Sequence, residues 1–269
     1  MSISIILAFL ATGVFSGTIA GLLGVGGGMI LVPVIVWILA SQGLAEGYAI
    51  KIALASSLAI IIPTSISSAL AHYRSGALRT DIVRQMLGGI ILGTILGGLL
   101  VDQLPEQWLR IIFAVGCWLI AAKMLFGSNP KPSRGLPNKF IMNLVGSLIG
   151  SLSALLGIGG GSLTVPFLHY CNINMRSAVA TSSACGLPIA ISGAITLAIS
   201  GMDIETLPDY SLGYVYLPAF IAISITAIIF APVGAKLAHS LPVATLKKFV
   251  ALFLIIAGTK MTASVMGWF

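Results

Sequence analysis

The chain has 269 residues, 58% of them hydrophobic and only 8% charged, with a mean hydropathy of +1.08. Soluble domains carry roughly 25% charge, so a water-soluble globular protein is excluded and lipid is the expected environment. A formal charge of +7 would suggest nucleic acid in a soluble chain; here Lys and Arg sit mostly in short connections between apolar runs, which marks cytoplasmic loops and excludes nucleic acid as a partner.

The first apolar run, 2–23, lacks the basic start of a signal peptide and is read as part of the mature protein. It ends in Leu22-Leu23-Gly24-Val25-Gly26-Gly27-Gly28, followed by a shorter apolar segment, 29–40, that contains Val32-Pro33. Helices are predicted next at 48–72, 82–101 and 107–126. The hydrophilic stretch Gly127 to Asn138, with Pro130, Pro132 and Pro137, reads as a linker.

The order then recurs. A segment at 139–156 runs into Leu155-Leu156-Gly157-Ile158-Gly159-Gly160-Gly161 and Val165-Pro166, followed by helices at 177–200, 213–236 and 243–266. The segment 162–170 is too short to cross a bilayer of about 30 Å at 1.5 Å per residue. Each GxGGG break is therefore expected to be the tip of a helical hairpin that dips in and returns.

Gly157 follows Gly24 by 157 − 24 = 133 positions, an offset that also pairs Gly13 with Gly146 and Gly17 with Gly150. Further on, Ser56-Ser57 pairs with Ser182-Ser183 at 182 − 56 = 126, and Leu104-Pro105 with Leu241-Pro242 at 241 − 104 = 137. An internal repeat of this kind predicts a first transmembrane repeat over 1–126, a cytoplasmic linker over 127–138 and a second repeat over 139–269.

Charge orients them. Connections with Arg74, Arg79 and Arg84, with Lys123, Lys131, Arg134 and Lys139, and with Lys236, Lys247 and Lys248 are expected inside; those with Asp102 and Glu106 and with Asp203, Glu205 and Asp209 are expected outside. Each half then makes three crossings plus a hairpin. The predicted fold class is an all-α polytopic protein of the cell inner membrane, with two inverted-topology repeats and both termini outside.

Broken backbone exposes N–H and C=O groups that lipid cannot satisfy, so it is tolerated only inside protein or against a wet cavity. Glycine lets backbone approach a ligand, and the segments starting at Met29 and Ser162 turn the positive end of a helix dipole toward the break, a seat for an anion. A single GxGGG would be read as tight helix crossing; two at matching places point to substrate. Hydroxyls that precede Pro63 and Pro188 add donors. The candidate substrate-binding set is Gly26, Gly27, Gly28, Ser56, Ser57, Gly159, Gly160, Gly161, Thr181, Ser182 and Ser183.

His72, His169 and Lys51 lie near segment ends and read as interfacial residues, and Cys117, Cys171 and Cys185 as small buried residues without a disulfide. No Asp or Glu lies well inside an apolar run, which argues against a metal-cation carrier. Neither a catalytic constellation nor a metal or cofactor motif is found, so no enzyme and no cofactor is expected.

In its paired LLGxGGGxxxVP elements and the hydroxyl-bearing helices after them, the chain resembles the TauE/SafE sulfite exporter family, also called the TSUP permeases, over essentially its whole length. The motif residues are Gly24, Gly26, Gly27, Gly28 and Pro33, with Gly157, Gly159, Gly160, Gly161 and Pro166; Ala55 stands where the second copy has Thr181. The resemblance implies a secondary transporter of small sulfur-containing anions such as sulfite, thiosulfate or organosulfonates. An anion channel and a carrier of other small organic anions are the alternatives, and lipid, the anion and further copies of the chain are the partners in view.

Overall fold

The computed structural model describes residues 3–23, 27–44, 47–74, 76–127, 135–237 and 243–266. Gly24 and Gly26 of the first break and Lys131 and Arg134 of the linker lie outside the described residues. In chain order the elements are α1 (Ile3–Leu23), α2 (Gly28–Ser41), α3 (Ala49–Arg74), α4 (Thr80–Gln103), α5 (Glu106–Phe126), α6 (Lys139–Leu156), α7 (Gly161–Tyr170), α8 (Met175–Ser200), β1 (Ser211–Leu212), β2 (Val215–Tyr216), α9 (Leu217–Leu237) and α10 (Val243–Val265).

Among the described residues, 8 helices are long and apolar enough to cross a membrane, namely all but α2 and α7. The protein is therefore an all-α polytopic membrane protein. Polar caps set two starts: the Asn138 side chain accepts from the Ile141 N–H (3.0 Å) and the Asn174 side chain from the Ser177 N–H (2.8 Å). The predicted helix over 213–236 is corrected at its start. Residues 211–216 instead form an antiparallel hairpin with Leu212 opposite Val215, because Gly213 turns the chain at φ 53° and Tyr214 and Tyr216 plunge into the core.

Helix α3 is the axis of the bundle. Buried residues make up 83% of its apolar window, against 28% for α5 and for α9, whose exposed apolar side chains face outward, where lipid replaces water. Small residues set the closest contacts. In α4, Gly89, Gly93 and Gly97 meet Asn143, Ser147 and Ser151 of α6 in the same order, so these helices run parallel. The Ser151 hydroxyl donates to the Gly93 carbonyl and the Gly89 N–H to the Asn143 side chain, both at 2.8 Å. Gly13 and Gly17 of α1 meet Ile223 and Ala227 of α9, again in parallel.

Two other pairs run antiparallel. Gly186 and Gly193 of α8 meet Ser65 and Leu58 of α3; Arg110 of α5 reaches Ser264 of α10 (3.0 Å) while Trp118 meets Gly258. If each of the first five helices is matched with the helix five places later, these pairings map onto one another: α1 with α9 becomes α6 with α4, and α3 with α8 and α5 with α10 each map onto themselves.

The chain doubles back at each break. A β-carbon on Gly27, at the start of α2, would lie 2.8 Å from the Ser16 carbonyl oxygen and 3.4 Å from the Ala20 Cβ of α1. One on Gly160, at the start of α7, would lie 3.3 Å from the Ser153 hydroxyl and 3.4 Å from Ile149 of α6. The hairpins are unequal, since α1 and α6 have 21 and 18 residues and α2 and α7 have 14 and 10.

Candidate functional site

Both breaks are built on left-handed backbone. Gly27 and Gly160 occupy the N-cap positions of α2 and α7 with φ 67° and 70°, and Gly157 caps α6 at φ 60° while its N–H bonds the Ser153 and Ala154 carbonyls. Side chains disfavour this region and glycine does not. The first turn of α7 folds onto the Gly160 carbonyl, which accepts from Leu163 (3.0 Å) and Thr164 (2.8 Å). The N–H groups of Gly161 and Ser162 find no backbone carbonyl among the described residues, as expected at a helix start.

The two breaks touch. A β-carbon on Gly28 would sit 2.5 Å from the Gly157 carbonyl oxygen and 3.1 Å from Ile158 Cα. The Ser57 hydroxyl of α3 closes this contact, donating to the Gly157 carbonyl at 2.7 Å with the Gly28 carbonyl at 3.5 Å. On the far side, the second break leans on α8: Gly159 approaches Gly186, and Gly160 approaches Ile189. Gly27, Gly28, Ser57, Gly159, Gly160 and Gly161 thus belong to one buried region.

The other predicted hydroxyls have separate tasks. Ser56 accepts the N–H of Tyr216 (2.9 Å), anchoring the hairpin before α9, and Thr181 accepts the N–H of Arg79 (3.2 Å), anchoring the connection before α4. Ser183 back-bonds to the Val179 carbonyl of its own helix (3.0 Å). Ser182 is fully buried and its hydroxyl has no partner among the described residues.

These contacts correct the register of the repeat. Ser56 and Thr181 do the same job, and they are 181 − 56 = 125 positions apart, as Pro63 and Pro188 are. Ser57 therefore corresponds to Ser182, and Ala55 to Ala180. The offset of 126 pairs identical letters, Ser-Ser with Ser-Ser, rather than residues with the same contacts.

Lys51, near the start of α3, is 7% exposed; its amine donates to the Asp102 carbonyl and lies 5.9 and 5.7 Å from the rings of Tyr48 and Tyr214. The Tyr214 hydroxyl donates to the Asp102 carboxylate at 2.8 Å. Burial, with that carboxylate, raises the Tyr214 phenol above its ordinary range, so it stays a donor. Sequence reading missed this cluster because its members come from the start of α3 and the turn before it, the end of α4 and the hairpin, and only Asp102 was assigned to a face.

A family model described as "Sulfite exporter TauE/SafE" matches residues 9–261. The chain belongs to the TauE/SafE family. A "Probable membrane transporter protein" of Haemophilus influenzae is 36% identical over 257 residues, 95% of this chain and 97% of the relative. Two more relatives with that description, from Bacillus subtilis and Methanocaldococcus jannaschii, are 26% and 25% identical over 249 and 230 residues, 90% and 84% of this chain and 94% and 83% of theirs. A TauE/SafE chain with 8 apolar spans is an integral, multi-pass membrane transporter, with a small substrate and a lipid environment.

Proposed function

We propose that this chain is a secondary carrier that exports small sulfur-containing anions such as sulfite, thiosulfate or organosulfonates, binding the anion at the paired GxGGG breaks and exposing it to each side in turn. The observation that carries the reading is the meeting of the two breaks at Ser57. Broken, glycine-lined backbone is gathered inside the bundle at one place, where helix starts offer N–H groups to a negative charge.

The mechanism takes 1–126 and 139–269 as inverted repeats joined by a cytoplasmic linker over 127–138, with both termini outside. The antiparallel pairing of α3 with α8 and of α5 with α10 supports it. A two-fold axis in the membrane plane requires every helix to run opposite to its counterpart. The anchors at Ser56 and Thr181, one from each half, are then the contacts that alternate.

Export follows from electrostatics. Moving one charge through 100 mV is worth about 2.3 kcal/mol, so a dianion leaving an inside-negative cell gains roughly twice that without a coupling ion.

Counterflow tests the whole reading. Vesicles containing the purified protein and loaded with unlabelled sulfite should transiently concentrate labelled sulfite, and variants with a bulky residue at Gly27 or Gly160 should not, while still inserting. Equilibration without overshoot would make the protein a channel. Overshoot with lactate and none with any sulfur anion would move the substrate to other organic acids.

A further inference from the structure

The hydroxyls of Ser153, Ser162 and Thr164, on the helices that flank the second break, and of Ser182, one turn before Gly186 on α8, are buried with no hydrogen-bond partner among the described residues. An orphaned buried hydroxyl is costly, so a group of them needs an occupant. Three belong to fully buried residues of three different helices. Ser153 of α6 lies 3.3 Å from where a Gly160 β-carbon would be. Thr164, in the first turn of α7, is on that helix's buried stripe with Gly161 and Leu168. Ser182 shares a face of α8 with Gly186 and Ile189, at i, i+4 and i+7, the residues that touch Gly159 and Gly160. Ser162, two positions before Thr164, stands on the opposite side of α7.

Among the described residues, the first break has no such set. At the offset of 133, Ser153 corresponds to Ala20 and Thr164 to Leu31; at 125, Ser182 corresponds to Ser57, whose hydroxyl is committed to the Gly157 carbonyl. The match is close in space, because Ala20 Cβ stands 3.4 Å from the hypothetical Gly27 β-carbon, as the Ser153 hydroxyl stands 3.3 Å from that of Gly160.

We propose that the anion site is one-sided: the hydroxyls of Ser153, Thr164 and Ser182, with the Gly161 and Ser162 N–H groups at the start of α7, hold a small oxyanion at the second break, and the first break contributes packing alone. This rests on the anion-carrier reading and narrows its site. Every donor in the set is neutral. The cations with defined partners are engaged elsewhere: Lys51 with Asp102, Arg79 with Asp81, Arg110 with Glu106 and Lys260 over Trp37. Three rotatable hydroxyls and a helix start suit a ligand that only accepts hydrogen bonds, such as a fully deprotonated oxyanion.

Sulfite binding to the purified full-length protein, measured by titration calorimetry beside the melting temperature of the anion-free protein, tests this. Ser153→Ala and Thr164→Val should each raise Kd roughly tenfold or more, the size of a lost charge-assisted hydrogen bond, with an anion-free melting temperature unchanged or raised because an orphan is removed. Leu31→Val, the mirror change at the first break, should leave Kd within about twofold. Sulfite binding with a Kd that neither second-break variant alters would overturn the one-sided site and leave the carrier standing. Equal weakening by Leu31→Val and Thr164→Val would overturn it in favour of a two-sided site. No binding of sulfite, thiosulfate or sulfoacetate by the unaltered protein would overturn the carrier reading and this site with it.

Discussion

Ser57 and Ser182 occupy the same place in the repeat and are the same residue, each following a hydroxyl that anchors a connection from the other half. Ser57 is satisfied, donating to the Gly157 carbonyl at 2.7 Å. Ser182 is equally buried and has no partner among the described residues. A repeat conserves backbone geometry, here a helix with a hydroxyl pair beside a glycine break, while individual neighbours diverge. One copy spends its hydroxyl on holding the breaks together, and the other keeps it available.

The largest effect expected is at the contact of the breaks. Gly28→Ala should destabilise by about 3 kcal/mol, the upper end for an overpacked core, because the new β-carbon would meet the Gly157 backbone at 2.5 Å. Gly159→Ala should cost less than about 1 kcal/mol, since its β-carbon would meet only a movable Ile61 methyl at 3.2 Å. Thermal unfolding in detergent compares them, and equal losses would mean that the breaks do not touch as described.

Ser57→Ala should cost about 1–3 kcal/mol, the penalty for leaving a buried carbonyl with one donor fewer. Ser56→Ala and Thr181→Val should each cost about 1 kcal/mol and speed amide hydrogen exchange, at Tyr216 in the first variant and at Arg79 in the second. If either exchange rate stays put, that anchor is not a working contact.

Ser182→Ala should show the smallest change, within about 0.5 kcal/mol or slightly stabilising. A loss as large as that of Ser57→Ala would show that Ser182 has a structural partner after all and would erase the contrast between the copies.

Much of the fold was legible in the chain. Segments predicted at 107–126, 139–156 and 162–170 became Glu106–Phe126, Lys139–Leu156 and Gly161–Tyr170, because apolar runs bounded by Pro, Gly or Asn are a local signal. The hairpin at 211–216 was missed for the opposite reason: Tyr214 and Tyr216 are apolar enough to read as helix, and only their burial and the turn at Gly213 fold this stretch into a hairpin. At the candidate site, both breaks and Ser57 were visible as repeated letters. Ser153 and Thr164 were not, since they differ between the copies; the exchanges Ala20 for Ser153 and Leu31 for Thr164 are the signal that comparing the copies position by position would have caught.

By itself, the sequence determined residence in a membrane, the order of the helices, the two glycine breaks and the resemblance to the TauE/SafE family. Hydropathy and the left-handed freedom of glycine act within a few residues and need no partner to be read. Tertiary structure alone decided that the breaks touch, that the register is 125 and that Lys51 is buried beside two tyrosines. It also decided which hydroxyls are spent. A hydroxyl's status depends on what packs against it, and for Ser57 that partner lies 100 positions away along the chain.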